Sequence, residues 1–392
     1  MIAIESDAVF DGERFLPDGA VVIVEGRRVR SVNPRATELP AGCEVLRFPG
    51  TTLLPGLIDM HVHLCCDSGA GALDRIPEFS DAGLVTVIEN ALAAHLRSGV
   101  TTVRDLGDRE WAVIDWRDRN RDSALPTVLG SGPPITSPHG HCANMGGEAR
   151  GVEQLRRAVG ERAERGADIV KIMASGGANT PGTDPAGVQF GVEEIRAVVE
   201  ESHARGLGVT AHAHSLAAIK NAVAAGVEGI EHCTFVTADG IDVAGSVVVD
   251  LVASATTVCP TLGAVPGATP PPGVLEMMRK TGLSLEQRGQ TVAGLHGAGV
   301  RIVSGSDGGI SVGKPHGIMP EAVISLVDGG VSPAEALATA TSLAAAACGL
   351  GDRKGRVRAG YDADLLVVQG DPRAGVTALR DVRAVFLRGI RA

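Results

Sequence analysis

Strand-like and helix-like stretches alternate along most of this chain, and this alternation limits its fold more than any other feature. Eight short apolar stretches are predicted strands, namely residues 57–63, 100–105, 127–131, 168–173, 208–212, 229–232, 256–259 and 301–304. Stretches with apolar residues at helical spacing lie between most of them or follow the last, namely residues 84–98, 152–165, 192–205, 215–225, 285–298, 318–328 and 333–347.

Glycines mark the passage from helix to strand. Gly99, Gly166, Gly206, Gly226 and Gly299 each follow a predicted helix and precede a predicted strand, where a left-handed cap is favoured. Eight strand-then-helix units predict an α/β fold of the (β/α)8 TIM-like barrel type, over residues 53–352. An open, doubly wound parallel sheet is the alternative.

The two ends of the chain are both β-rich. Residues 20–24, 363–368 and 382–387 are predicted strands. We expect the ends to pair into one small β-sandwich domain, made of residues 1–52 and 353–392. Two unrelated extensions are the alternative.

Composition and charge exclude several classes of protein. Of 392 residues, 44% are hydrophobic and 21% charged, which suits a large folded core. The net charge of −10 disfavours nucleic acid and anionic membranes as partners. We expect no signal peptide and no membrane span, since the chain lacks the apolar runs of either. The seven cysteines form no CxxC pair, so a reducing, cytoplasmic setting is expected.

A His-x-His pair closes the first predicted strand. His61 and His63 follow an apolar run and point to the same face if the strand continues. Two imidazoles placed in this way can bind one divalent metal ion. Alone, the pair is weak evidence, because a strand end can also carry two partly solvated histidines.

Polar side chains collect at the ends of the other predicted strands as well, where the chemistry of such barrels lies. Ser304-Gly-Ser306-Asp307 follows the eighth strand. Seven of the 11 histidines lie at or just after strand ends, namely His61, His63, His139, His141, His212, His214 and His232. An even scatter would not produce this ring, and it predicts a metal site.

Lys171 lies inside the apolar fourth strand. A charged, unpaired lysine costs several kcal/mol there. Either it pairs with a carboxylate, or it has a depressed pKa and its neutral amine adds CO2 to become a carbamate. Such an anion can bridge two cations.

Together these residues resemble the metal-dependent amidohydrolase superfamily, over nearly the whole chain. The resemblance is carried by His61-x-His63 after Pro55-Gly56-Leu57-Ile58-Asp59, by Val170-Lys171-Ile172, His212, Gly229-Ile230-Glu231-His232 and Ser304-x-Ser306-Asp307, and by the tail 360–367. Within it, Lys171-Ile-Met-Ala-Ser-Gly-Gly, His212-Ala-His-Ser and His316-Gly are similar to the Xaa-Pro dipeptidase and imidazolonepropionase-like branch.

The resemblance implies a binuclear centre, with zinc as the expected metal. Its ligands would be His61, His63 and Asp307 for one ion, His212 and His232 for the other, and carboxylated Lys171 and a hydroxide for both. Two cations lower the pKa of such a bridging water and polarise the carbonyl that it attacks. Asp307 would take the proton and pass it to the leaving nitrogen.

Further residues are expected to contact the substrate. Similar enzymes imply that His141 bonds the substrate carbonyl or steadies the oxyanion, with His139 as the competing choice. His214 either faces the site or begins a helix. Lys314 and His316 either hold a substrate carboxylate or belong to an ordinary surface loop.

For other residues near the strand ends we expect structural roles. Arg104 and Asp105 end strand two, where a structural ion pair is expected rather than substrate contact. The segments 65–81 and 261–280 should form the rim of the pocket, and residues 267–273, with three consecutive prolines, should be an extended or flexible loop.

The predicted function is hydrolysis of a C–N amide bond in a small peptide-like or N-acyl amino-acid substrate. The alternative is a cyclic amide (lactam or imidazolone-type) hydrolase or a single-metal deaminase. Relatives of the deaminase type usually carry a glutamate three residues after the strand-five histidine, where this chain has Ser215. A non-catalytic scaffold would have lost several ligands, and all are retained here. The expected partner is a small-molecule substrate, and assembly into a homo-oligomer is left open.

Overall fold

Seventeen strands and twelve α-helices lie within residues 1–16, 18–35 and 38–392, which this computed structural model describes. The strands are β1 (Ile2–Phe10), β2 (Phe15–Leu16), β3 (Ala20–Glu25), β4 (Arg28–Asn33), β5 (Glu44–Pro55), β6 (Leu57–Val62), β7 (Val100–Asp105), β8 (Thr127–Gly130), β9 (Ile169–Met173), β10 (Gly208–Ser215), β11 (Gly229–Thr237), β12 (Gly240–Ile241), β13 (Thr257–Cys259), β14 (Arg301–Ile302), β15 (Leu365–Gln369), β16 (Val382–Leu387) and β17 (Ile390–Arg391). The helices are α1 (Ala72–Arg75), α2 (Asp81–Arg97), α3 (Ala112–Arg119), α4 (Gly151–Glu164), α5 (Val192–Ala204), α6 (Leu216–Ala225), α7 (Gly245–Ala253), α8 (Pro272–Thr281), α9 (Leu285–Gly297), α10 (Met319–Asp328), α11 (Pro333–Thr339) and α12 (Ser342–Ala347).

Both ends of the chain enter the same mixed sheet. Its strand order is β17-β16-β15-β5-β1-β3-β4, with β2 beside β1. The N-terminal strands β1 and β5 run parallel, and β15 pairs antiparallel with β5 so that Leu366 lies opposite Leu54. Ile4, Leu53 and Phe386 belong to a hydrophobic cluster that this sheet forms with its own residues.

The eight central strands predicted from the sequence are all present. Strands β6, β7 and β8 form one parallel sheet, and β9, β10, β11, β13 and β14 form a second, with the short β12 antiparallel to β11. Two isolated parallel bridges link the sheets. Val62 of β6 pairs with Gly308, which follows β14, and Ile172 of β9 pairs with Ile135, which follows β8. The chain is therefore an α/β protein whose central strands are parallel.

Most helices lie where the apolar spacing predicts them, although 333–347 divides into α11 and α12. Helix α6 illustrates the local signals: the Ser215 hydroxyl accepts a hydrogen bond from the Ala218 N–H at 3.1 Å, and Gly226 closes the helix with φ 88°. The sequence reasoning missed α1, α3, α7 and α8. None of the described helices is both long and apolar enough to cross a lipid bilayer.

The expectation of a loop over residues 267–273 is wrong for its last two residues, Pro272 and Gly273, which begin helix α8 (Pro272–Thr281). Pro271 is its N-cap residue and Pro272 its first helical residue. Proline is tolerated at the first turn because the missing N–H would have no partner inside the helix. The three prolines therefore lead into a helix.

The alternation of β10 turns its histidines away from the surrounding helices. Ala211 and Ala213 are fully buried, and Ala218 and Ala222 are equally buried on α6, which packs on β10. His212 and His214 occupy the alternate positions of the strand and therefore face the opposite side. Small apolar residues on one face thus position a polar cluster on the other.

Candidate metal centre

Three buried side chains meet where β6 ends beside the segment that follows β14. The Nε2 atoms of His61 and His63 lie 3.2 Å apart, and Asp307 Oδ1 lies 3.5 and 3.3 Å from them respectively. The Asp307 N–H donates to the His61 carbonyl at 2.8 Å, which fixes the two segments against each other. Two imidazole nitrogens and a carboxylate oxygen at this spacing suit a divalent cation.

Three further histidines surround a neighbouring position on β10 and β11. The ring centroids of His212 and His232 are 4.7 Å apart, and those of His214 lie 4.7 and 4.6 Å from them. One nitrogen from each ring lies within 4.8 Å of the other two. Ser215, rather than His214, caps α6. The structure thus brings together His212 and His232, as the sequence implied, and adds His214 to them.

Hydrogen bonds to the Nδ1 atoms orient several of these rings. His63 Nδ1 lies 3.2 Å from the Gly107 carbonyl. His214 Nδ1 lies 3.0 Å from the Thr234 hydroxyl, and His232 Nδ1 lies 2.8 Å from the hydroxyl of Thr261. When Nδ1 carries the proton, Nε2 keeps the lone pair that a metal requires.

Glu231 is a part of the site whose role the sequence reasoning missed. Its Oε2 lies 2.8 Å from His61 Nδ1, and its Oε1 accepts hydrogen bonds from Arg104 Nη2 at 2.8 Å and from the Thr210 hydroxyl at 2.6 Å. Burial opposes ionisation, but the charge of Arg104 and the hydrogen bond with His61 outweigh it and lower the pKa of Glu231. The structural ion pair expected at Arg104 therefore has Glu231 as its partner, while Asp105 accepts the N–H of Leu64 at 2.7 Å.

Lys171 lies on β9 and is buried, with 1% of its surface exposed. Burial lowers the pKa of its amine. Within the described residues no carboxylate lies within 4.0 Å of this amine, so the ion-pair alternative is not found. Lys171 lines the same cavity as His61, His212 and Asp307. A buried, unpaired amine beside these donors fits the carbamate hypothesis.

Strained backbone occurs at several residues around the site. Asp307, His232 and Thr261 have φ values of 58°, 68° and 50°, in the left-handed region that side chains with a Cβ seldom adopt. Such strain persists only where the surrounding structure holds it, and it clusters at functional sites. Asp59 supplies part of that support, because its carboxylate accepts hydrogen bonds from the N–H of Ser306 at 2.9 Å and from its hydroxyl at 2.6 Å.

Arg288 is a second residue that the sequence reasoning did not single out. It is 7% exposed and donates to the carbonyls of His232 and Cys233, within β11, and of Pro260, directly after β13. Its position on α9 gave no sequence signal, because the three acceptors are backbone atoms. Arg288 therefore ties β11 to the end of β13 at the wall of the cavity.

The residues predicted to contact substrate occupy different places. His141 lines the cavity, with its ring centroid 4.5 Å from that of His212 and its Nδ1 2.7 Å from the Thr180 hydroxyl, whereas His139 is exposed. Lys314 also lines the cavity, but its amine donates to the carbonyls of Thr261 at 2.7 Å and Ser306 at 2.8 Å.

His316 lies behind the cavity lining, beside a buried histidine. Its Nε2 donates to the Cys66 carbonyl at 2.8 Å, and its Nδ1 lies 3.1 Å from Nε2 of His95. His316 is absent from the residues that line the cavity. Its predicted contact with a substrate carboxylate stays a prediction.

A cavity of about 330 Å³ opens above these histidines. Its lining includes Leu73, from the segment 65–81, and several residues of the segment 261–280. The two segments expected at the rim therefore both contribute to the cavity. Apolar side chains dominate the wall that α8 supplies, namely Val274, Met277 and Met278.

Comparison with known proteins identifies the family to which this fold and site belong. The sequence profile of the amidohydrolase family matches residues 52–391, so the chain belongs to that family. It is therefore an amidohydrolase, a hydrolase of carbon–nitrogen bonds. The predicted family is confirmed.

Individual relatives place the chain more narrowly. Ochratoxinase from Aspergillus niger is 27% identical over 363 residues, covering 85% of this chain and 73% of the relative. An uncharacterised protein of Mycobacterium tuberculosis is 30% identical over 385 residues, covering 95% and 93%. The crystal structure of a Xaa-Pro dipeptidase with bound methionine has a TM-score of 0.86 and 25% identity, covering 100% of this chain and 99% of that one. Imidazolonepropionases are among the weaker matches, so the predicted branch is confirmed as well.

Proposed function

We propose that the chain is a binuclear metal-dependent hydrolase that cleaves the C–N amide bond of a small peptide-like or N-acyl amino-acid substrate. The observation that carries the proposal is the pair of donor groups around one cavity: His61, His63 and Asp307 on one side, His212 and His232 on the other. The Xaa-Pro dipeptidase and ochratoxinase relatives support the reaction class.

The donor set fits two divalent cations, with zinc as the expected metal. Neutral imidazoles and a carboxylate are the ligands that zinc prefers. Burial lowers the pKa of His61 to about 4, so its ring is neutral and able to coordinate at neutral pH. Carboxylated Lys171 would supply the oxygen ligand shared by both ions. Bound cations would supply Lewis acidity that polarises the scissile carbonyl and makes water a better nucleophile.

The chain's own residues hold and move the protons. Burial opposes the ionised form of Asp307, but the neighbouring His63 and His61 bring its pKa down to about 2. Asp307 is therefore a carboxylate at neutral pH, able to accept a proton and pass it to the leaving nitrogen. Glu231 holds the proton of His61 at Nδ1. His141, held by Thr180, is placed to donate to the developing oxyanion when it carries a proton at Nε2.

We also propose that the central strands form one closed (β/α)8 barrel over residues 53–352, with residues 1–52 and 353–392 as the separate β-sandwich domain. Backbone hydrogen bonds at both junctions between the two parallel sheets, β6 with the segment after β14 and the segment after β8 with β9, support a closed barrel. The Met60 N–H donates to the Ser304 carbonyl at 3.1 Å, and the Ile135 N–H donates to the Lys171 carbonyl at 2.8 Å. A cytoplasmic location stays a prediction, in keeping with seven cysteines that are all free.

Opening of a cyclic amide at the same two metals is the second candidate. The weaker matches to imidazolonepropionases favour it. Deamination at one metal is disfavoured because Ser215 caps α6 at the position where a glutamate would be needed. Kinetic screening of dipeptides, N-acyl amino acids, lactams and carbamates with the zinc-loaded protein separates the two. Turnover of linear amides supports the proposal, and turnover of lactams alone would overturn it.

A further inference from the structure

Helix α8 differs from every other helix in the described part of the chain because none of its residues is buried. A helix of a folded protein normally buries an apolar stripe against the core. Even the shorter α3 buries Val113, Ile114 and Trp116. A ten-residue helix with no fully buried residue therefore needs another source of stability.

The apolar stripe of α8 is present but faces the cavity. Val274, Met277 and Met278 follow the spacing of one helix face, and all three line the cavity above the histidines. The opposite face carries Glu276, which pairs with Arg279 at 2.8 Å and with Lys280 at 3.6 Å. The helix is thus amphipathic, with its apolar side directed at the place where substrate must lie.

The N-terminus of α8 is seated closely on a loop of the site. A Cβ atom at Gly273 would lie 1.7 Å from the Ala178 carbonyl oxygen, so this contact requires glycine. Thr180, two residues further along that loop, lies 2.7 Å from His141 Nδ1. The helix therefore closes over the site at a fixed position, with its methionine side chains above the histidines.

We propose that the substrate amide carries a bulky aliphatic or aromatic group that packs against Val274, Met277 and Met278. This inference rests on the proposed amide hydrolysis and names its substrate class: N-acyl amino acids with a large apolar substituent. Burial of apolar surface stabilises binding in proportion to the area removed from water, and unbranched methionine side chains adapt to different apolar shapes. The occupant of the cavity supplies the contacts that α8 lacks.

The test compares three amides on the zinc-loaded protein: N-acetyl-L-alanine, N-octanoyl-L-alanine and N-acetyl-L-phenylalanine. We expect at least one of the two larger amides to have a kcat/KM at least tenfold above that of N-acetyl-L-alanine. The double variant Met277→Ser/Met278→Ser should reduce this ratio toward one. Leu275→Ser is the matched control, because Leu275 is on the same helix, 41% exposed and outside the cavity lining, and it should leave the ratio unchanged.

Calorimetric binding of the same three amides to the metal-free protein separates this inference from the proposed function. Tighter binding of a larger amide, without turnover by the zinc-loaded protein, supports the inference and refutes the amide hydrolysis. Turnover without a size preference refutes the inference and supports the hydrolysis. A size preference that the double variant retains would also overturn the inference, because the preference would then arise elsewhere in the cavity.

Discussion

Glu231 and His61 are joined by a buried hydrogen bond of 2.8 Å between Oε2 and Nδ1. The two residues come from β11 and β6, in different sheets. A carboxylate at Nδ1 fixes the imidazole tautomer and leaves Nε2 directed at Asp307. The same carboxylate binds Arg104, so the orientation of a proposed metal ligand depends on a buried ion pair behind it.

Removal of Arg104 should destabilise the fold strongly. The variant Arg104→Met leaves Glu231 buried without its cationic partner, and the loss of one partner of a buried ion pair costs about 3–5 kcal/mol. Urea denaturation measures the change in the free energy of unfolding. The control Arg121→Met removes an exposed pair with Asp118, in which Arg121 is 74% exposed, and should cost less than about 1 kcal/mol. Equal effects of the two variants would refute the role assigned to Arg104.

Lys171 should matter through carbamate formation rather than through charge. The variant Lys171→Arg keeps a cation but forms no stable carbamate, so turnover should fall by orders of magnitude and the bound metal should decrease. Wild-type protein stripped of metal and CO2 should regain full activity only with both metal and bicarbonate. Full reactivation by metal alone, under CO2-free conditions, would argue against the carbamate.

Asp307 should be needed for turnover more than for metal. The variant Asp307→Asn keeps an oxygen ligand but cannot accept a proton, so kcat should fall by orders of magnitude while most of the metal is retained. Elemental analysis and steady-state kinetics measure the two quantities on the same preparation. Asp328→Asn, at an exposed helix end, should change neither. Near-normal kcat in Asp307→Asn would remove the proton-transfer role.

The stability of the protein should respond to pH through Asp108. Burial, with a contribution from the charge of Asp105, raises the pKa of Asp108 from 3.8 to about 7. Its Oδ2 accepts the Val113 N–H at 2.9 Å, and among the described residues its Oδ1 has no partner. The native state therefore binds more protons than the unfolded state between those two pKa values, and this group lowers the free energy of unfolding as pH rises from about 4 to about 7.

The variant Asp108→Asn should remove that contribution. Relative to wild type, its free energy of unfolding should increase by a few kcal/mol between pH 4 and pH 7 and then level off. Denaturation at a series of pH values measures the difference. Asp352→Asn, at an exposed position, should run parallel to wild type. A constant difference between Asp108→Asn and wild type would show that Asp108 ionises normally.

The sequence predicted the strands and their polar ends because both have short-range signals. Apolar runs, five of them preceded by a glycine, predicted all eight central strands, and His61, His63, His212, His232 and Asp307 follow directly from where those strands end. His214 was expected to face the site only if the fifth predicted strand continued past His212. In the structure β10 continues to Ser215, so His214 shares the face of His212.

The missed features depend on contacts between distant parts of the chain. Glu231 and Arg104 are 127 residues apart, and Arg288 is 56 residues from the His232 carbonyl that it binds. Prolines before α8 suggested a loop, but proline is also common at the first turn of a helix, so the local sequence does not distinguish the two. The sequence suggested that Lys314 holds a substrate carboxylate. It could not show that the amine of Lys314 already donates to two backbone carbonyls, those of Thr261 and Ser306.

Metal content tests the central claim most directly. We predict about two zinc ions per chain in the purified, CO2-equilibrated protein, and about one in a variant in which both His212 and His232 are replaced by alanine. Elemental analysis by mass spectrometry, alongside protein concentration from amino-acid analysis, gives the ratio. Full amide turnover at one metal ion per chain or fewer would contradict a binuclear centre built from these residues.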